Sequence, residues 1–146
     1  MRPLTTTNPN LISLGVFLIR VMIGLILFVA GAGKALGWFN GMGIDITIQM
    51  FRDHVGISAP WGYISTYAEF IGGALLFIGL FTRVAAFILA INMCVAVIVV
   101  GMKDFFGPQG AAYPCLIFVG CVLIALTGPM KISLDAVLER NRNNAH

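Results

Sequence analysis

The chain has 146 residues, of which 59% are hydrophobic and only 10% charged, and its formal charge is +3. A mean hydropathy of +0.95 excludes an ordinary water-soluble domain. The basic balance does not point to nucleic acid, because the nine Lys and Arg residues are scattered and form no run.

A bilayer core about 30 Å thick takes about 20 apolar residues per helical crossing, and the chain holds four such stretches. The polar N-terminus, residues 1–10, precedes an apolar run that is too long for a signal peptide and has no convincing cleavage site, so the first helix is expected to stay attached. The first span is predicted over residues 11–36, interrupted by Arg20 and closed by Lys34 and Trp38. The connection that follows carries Ile44, Ile48, Phe51 and Val55 on one helical face, with Asp45, Gln49, Arg52 and Asp53 elsewhere. This pattern predicts an amphipathic helix lying on the outer leaflet, the alternative being a loop packed over the bundle.

The second span is predicted over residues 60–81, with Pro60 suited to a first helical turn, and the third over 84–102. The fourth covers residues 111–127 and is stopped by Gly128-Pro129. Short connections at 81–84 and 102–111 force neighbouring helices to run in opposite directions. The expected fold is therefore an all-α membrane protein, a single domain built as an antiparallel up-down bundle of four transmembrane helices. Arg2, Arg83, Lys131, Arg140 and Arg142 outweigh Lys34, Arg52 and Lys103 at the opposite ends, which places both termini in the cytoplasm.

Three polar residues lie deep in these spans: Arg20 nine residues after Leu11, Glu69 nine after Pro60 and Asn92 nine after Arg83. Each is about 14 Å from the end of its span, which puts the three at one level and makes Arg20 and Glu69 the expected ion pair, completed by Asn92. Arg20 shares a stripe with Gly24, Gly31 and Ala35, and Glu69 shares one with Gly73, Leu76 and Leu80. A charged centre of this kind either fixes the register of the bundle or borders a cavity for a quinone headgroup, a lipid-like molecule or a proton path.

Other residues limit the chemistry. Two histidines, His54 in the first connection and His146 at the last residue, cannot ligate a haem within the membrane. No metal cluster, nucleophile motif or phosphate loop stands in the sequence, so no intrinsic cofactor and no metal are expected. Cys94, Cys115 and Cys121 read as small buried hydrophobes. Trp38, Trp61, Tyr63 and Tyr67 read as an aromatic belt.

The chain resembles the DoxX family of small four-helix bacterial membrane proteins. The resemblance is carried by Arg20-Val21-Met22-Ile23-Gly24 with Gly31-Ala32-Gly33-Lys34, then Gly56 to Pro60, Glu69-Phe70-Ile71-Gly72-Gly73 and Gly79-Leu80-Phe81-Thr82-Arg83. It closes with Leu126-Thr127-Gly128-Pro129 and Ser133-Leu134-Asp135. The family takes its name from a subunit linked to a thiosulfate:quinone oxidoreductase or terminal quinol oxidase. The resemblance thus implies an accessory subunit of a redox or quinone-linked complex in the bacterial inner membrane, not an enzyme alone, with partner proteins supplying the electron carriers. Some members carry a charge in the fourth span; here that span offers only Tyr113, Cys115, Cys121 and Thr127, which speaks against a full proton relay. The reading from another class is an assembly factor using exposed small-residue stripes such as Gly72-Gly73 and Ala85-Ala86. A small-molecule or lipid carrier and a homo-oligomer both stay open.

Overall fold

The computed structural model describes residues 8–100, 105–107, 110–129 and 133–143. Among them the regular structure is entirely helical: α1 (Pro9–Leu36), α2 (Gly43–Met50), a π-helical segment (Phe51–Val55), α3 (Ala59–Ile78), α4 (Thr82–Val100), α5 (Ala112–Thr127) and α6 (Leu134–Asn143). Asn8 caps α1 by accepting the Asn10 N–H, with Pro9 in the first turn, so the helix starts two residues earlier than the apolar run. At the end of α3, Gly79 takes a left-handed conformation (φ 76°) and caps the helix, whose last residue Ile78 is three before the predicted limit of 81. The third predicted span keeps its helix, although Gly101, Met102 and Lys103 lie outside the described residues, as do Arg2, Lys131 and His146. The helix α6 has no counterpart among the predicted elements; Ser133 caps it by accepting the Ala136 N–H.

Two of these helices, α1 and the 82–99 stretch of α4, are long and apolar enough to cross a bilayer, and α5 is a shorter apolar helix. Their outer faces are oily: Leu18 is 54% exposed, Ile98 73% and Leu116 73%. Such a surface is unsuited to water and suited to lipid. The core lies between α1, α3, α4 and α5, where Leu27, Leu76, Leu89 and Ile124 are fully buried.

The most extensive seam joins α1 and α3. A Cβ added to Gly24 would stand 2.5 Å from the Phe77 backbone nitrogen, and Cβ atoms at Gly31 and Gly73 would meet the backbones of Phe70 and Phe28. The two backbones therefore touch along the seam, and Phe28 stacks on Phe70 with ring centroids 5.4 Å apart. As α1 advances from Gly24 through Phe28 to Gly31, its partner positions recede from Phe77 through Gly73 to Phe70, so this pair runs in opposite directions. Gly72, Gly73, Ala85 and Ala86 are buried inside the molecule, with Gly72 against Leu89 and Gly73 against α1, and do not form the exposed stripes expected of an assembly factor.

The connection between α1 and α3 is the expected amphipathic element, continued by a wider π turn. Ile48 is buried and Ile44, Phe51 and Val55 are half-buried, while Asp45, Gln49, Arg52, Asp53 and His54 are exposed. Ile48 and Phe51 rest on Gly62 of α3. Of the cysteines only Cys121 is buried; Cys115 is half-buried and Cys94 exposed, because α4 and α5 turn one face outward. Trp38, Trp61, Tyr63 and Tyr67 are all exposed.

If the seam sets the fold, Gly31→Ala destabilises the protein by about 1–3 kcal/mol, because Phe70 backbone cannot give way as a side chain can. Gly15→Ala, where nothing stands within 4 Å of a new Cβ, does not lower the melting temperature in the same detergent. Equal melting of the two variants would contradict this account of the seam.

Candidate functional site

The glycine seam displaces α1 lengthwise along α3. The helix α1 has 28 residues and α3 has 20, so depths counted from their ends do not refer to a common plane. With Gly31 opposite Phe70, the residue of α1 that reaches Glu69 is Lys34, three positions further along the same face.

Glu69 is buried in the middle of α3, with its side chain 7% exposed. The Lys34 ammonium donates to Oε2 at 2.6 Å, and the Asn92 carboxamide of α4 donates to Oε1 at 3.3 Å. Both carboxylate oxygens are thus engaged, each by one donor, which leaves acceptor capacity on each. The Lys34 side chain is 34% exposed, and its ammonium stands 5.9 Å from the centre of the Phe51 ring. Thr66, one turn before Glu69 on α3, is fully buried and its hydroxyl has no hydrogen-bond partner among the described residues. An orphan hydroxyl beside a buried carboxylate is unusual in a well-packed interior.

Glu69 and Asn92 are therefore together as expected, but Arg20 does not join them. Its guanidinium lies against Gly79, whose added Cβ would be 2.8 Å from Nη1, and it donates to the Pro129 carbonyl at 3.3 Å. Gly79 is ten residues beyond Glu69 on α3, about 15 Å along the axis. The expected Arg20–Glu69 ion pair is thus absent. Its place is taken by Lys34, a span-closing residue in the sequence pattern, whose spacing of three from Gly31 is the signal that marks it.

Arg20 belongs to a second polar cluster at the far end of α3. The Asp135 carboxylate accepts the Phe81 and Thr82 backbone N–H groups at 2.9 Å each, and the Asp135 N–H donates to the Gly79 carbonyl. This closes the start of α4 with a side chain from α6. Arg83 lies beside Gly128, and Arg20 sits 5.3 Å from the centre of the Phe17 ring. The cluster ties the α3–α4 turn to the C-terminal segment.

The ion pair gives a direct test. Lys34→Met strands the buried Glu69 carboxylate and lowers stability by about 3–5 kcal/mol, Glu69→Gln leaves the partly exposed Lys34 ammonium unpaired and costs less, and Lys34→Met with Glu69→Leu recovers much of the loss. In thermal melts the Lys34 and Glu69 changes couple, while Arg20→Met and Glu69→Gln add. Additive Lys34 and Glu69 effects would overturn the pairing.

The DoxX family matches residues 15–102, which hold Arg20, Lys34, Glu69 and Asn92. The Bacillus subtilis (strain 168) protein named "Putative oxidoreductase CatD" is 34% identical over 134 residues, covering 91% of this chain and 93% of that protein. No solved structure matches. With the helices, the oily surface and the ordered motifs all accounted for, the chain belongs to the DoxX family.

Proposed function

We propose that this DoxX protein is a four-span, antiparallel up-down bundle in the bacterial cytoplasmic membrane, and that it serves as an accessory subunit of a redox or quinone-linked complex. In this reading Lys34, Glu69 and Asn92 form the place where a quinone or similar lipid-soluble headgroup binds. The observation that carries the proposal is the buried Glu69 carboxylate, held by an ammonium on one oxygen and a carboxamide on the other within the helix bundle. A headgroup that is alternately carbonyl and hydroxyl needs both a donor and an acceptor. Lys34 and Asn92 supply the first and Glu69 the second. The name oxidoreductase borne by the Bacillus subtilis relative agrees with membrane redox work. Electrons come from partner proteins, and this chain contributes the binding group and a carboxylate able to accept a proton from a bound hydroxyl.

The orientation proposed for the bundle puts both termini in the cytoplasm. Among the described residues Arg83 and Arg140 are exposed beyond one end of α3, and Arg52 is exposed beyond the other.

Titration of the purified full chain in mild detergent with ubiquinone-1, followed by tryptophan fluorescence, tests the binding proposal. Saturable quenching is expected, weakened about tenfold or more by Glu69→Gln and unaltered by Arg20→Met, since a hydrogen bond to a charged group contributes about 1.5–3 kcal/mol. The same curve for parent and Glu69→Gln would remove the site from the function. For topology, a reporter fused after His146 is expected to work only if it is one active in the cytoplasm. Activity of a periplasmic reporter there would invert the bundle.

A further inference from the structure

The ion pair lies beneath the connection between α1 and α3. Where α1 ends at Leu36, α2 and the π-helical segment continue the packing over the first turns of α3. Ile48 is 6% exposed, and its terminal carbon would be 2.8 Å from a Cβ on Gly62, with the Phe51 Cβ at 3.8 Å from the same point. The Phe51 ring also flanks the Lys34 ammonium. In this covering segment Thr47 shares its hydroxyl between the Gly43 carbonyl at 2.7 Å and the Lys34 carbonyl at 3.4 Å, so its hydrogen bond to α1 is the longer of the two.

Its two ends are built to turn. Gly43 and Gly56 both hold left-handed backbone, φ 76° and 72°, and nothing stands within 4 Å of a Cβ added to either. Unpacked glycines of this kind absorb backbone rotation at low cost. Between them the π turn, with Phe51 O accepting both the Gly56 and Ile57 N–H groups, replaces the tighter α ladder. Thr66, one turn beyond Gly62 on the same face of α3, is fully buried with an unpartnered hydroxyl among the described residues, and Glu69 follows a turn later. On the outside the segment exposes Ile46 together with the polar Asp45, Gln49, Arg52 and Asp53.

We propose that residues 43–56 are a hinged cover on the Lys34–Glu69 centre, and that lifting Ile48 and Phe51 off Gly62 admits a lipid-soluble molecule whose polar head donates to Glu69 and pairs with the Thr66 hydroxyl. The proposal rests on reading the Lys34–Glu69–Asn92 centre as a binding site, and it adds the route of entry and a fourth contact. Closed, the cover excludes water from the carboxylate; open, it gives Thr66 the partner it lacks. The amphipathic outer surface of the segment places that entrance where an apolar tail stays in lipid while the head passes inward.

A cross-link tests it. In a full chain with Cys94, Cys115 and Cys121 changed to Ala, Phe51→Cys with Gly62→Cys places two Cβ atoms at the 3.8 Å separation of Phe51 Cβ and the Gly62 position, about the mean for a disulfide. The pair is expected to cross-link under mild oxidation and to reopen with reductant. The probe is dicyclohexylcarbodiimide, which modifies buried carboxyl groups, read at Glu69 by peptide mass spectrometry. Labelling at Glu69 is expected in the reduced form and at least tenfold slower in the oxidised form. On the cysteine-replaced chain lacking this pair, the 43–56 amides are expected to exchange hydrogen faster than those of α1 and α3. A pair that does not oxidise, equal labelling in the two states, labelling in neither, or amides of 43–56 as protected as α1 would each overturn the cover. Ubiquinone-1 binding unaffected by oxidation would do the same while leaving the binding site intact. Gated labelling without any ubiquinone-1 binding would instead remove the quinone reading and leave the cover standing.

Discussion

The positions of Arg20, Lys34 and Glu69 follow from the contact between the backbones of α1 and α3. In a bilayer, burial of apolar surface does little to bring helices together, since lipid tails are as apolar as leucine; association depends on close packing and on polar contacts. Glycines at 24, 31 and 73 allow the two helices to touch, and only one lengthwise register brings all three against bare backbone. In that register Lys34 reaches Glu69 and Arg20 reaches the α3–α4 turn. Sliding α1 far enough to bring Arg20 to Glu69 would drive side chains into the seam.

The two polar clusters differ in what they can do. The one around Arg20 and Asp135 consists mainly of bonds to backbone: Asp135 caps α4, its own N–H returns to Gly79, and Arg20 binds the Pro129 carbonyl. Such bonds hold segments together and leave little for a ligand, although the Arg20 Nε and Thr82 hydroxyl remain unpartnered among the described residues. The cluster around Glu69 is made from side chains. Its carboxylate meets an ammonium and an amide, with an orphan hydroxyl one turn away. A buried ion pair is a poor device for stability alone, because its desolvation cost approaches its Coulomb gain. That asymmetry is the physical reason to read architecture at the Arg20 cluster and to propose binding at the Glu69 cluster.

The motifs that carry the DoxX resemblance divide along the same line. Gly79 to Arg83, Gly128-Pro129 and Asp135 meet around Arg20, whereas Gly31 to Lys34 and Glu69 to Gly73 build the seam and the ion pair. Arg20 and Lys34 stand on one helix yet serve opposite ends of the molecule.

Much was legible from the sequence because helix formation here is local. Apolar runs, Pro60 in a first turn, Gly128-Pro129 as a stop and the amphipathic period through Ile44, Ile48 and Phe51 need no knowledge of neighbours, and the helices fall close to where those signals put them. Equal depth in their spans put Asn92 at the level of Glu69, and its carboxamide does donate to that carboxylate. The partner of the carboxylate was decided only by tertiary structure. Counting residues from helix ends assumes that all helices begin in one plane, and α1, eight residues longer than α3 by the difference of 28 and 20, does not. The burial of Gly72-Gly73 and Ala85-Ala86, the outward face of Cys94 and the capping of α4 by Asp135 share that origin. Periodicity defines a face on each helix, but which face meets which, and at what height, depends on backbone contact between residues far apart in the chain.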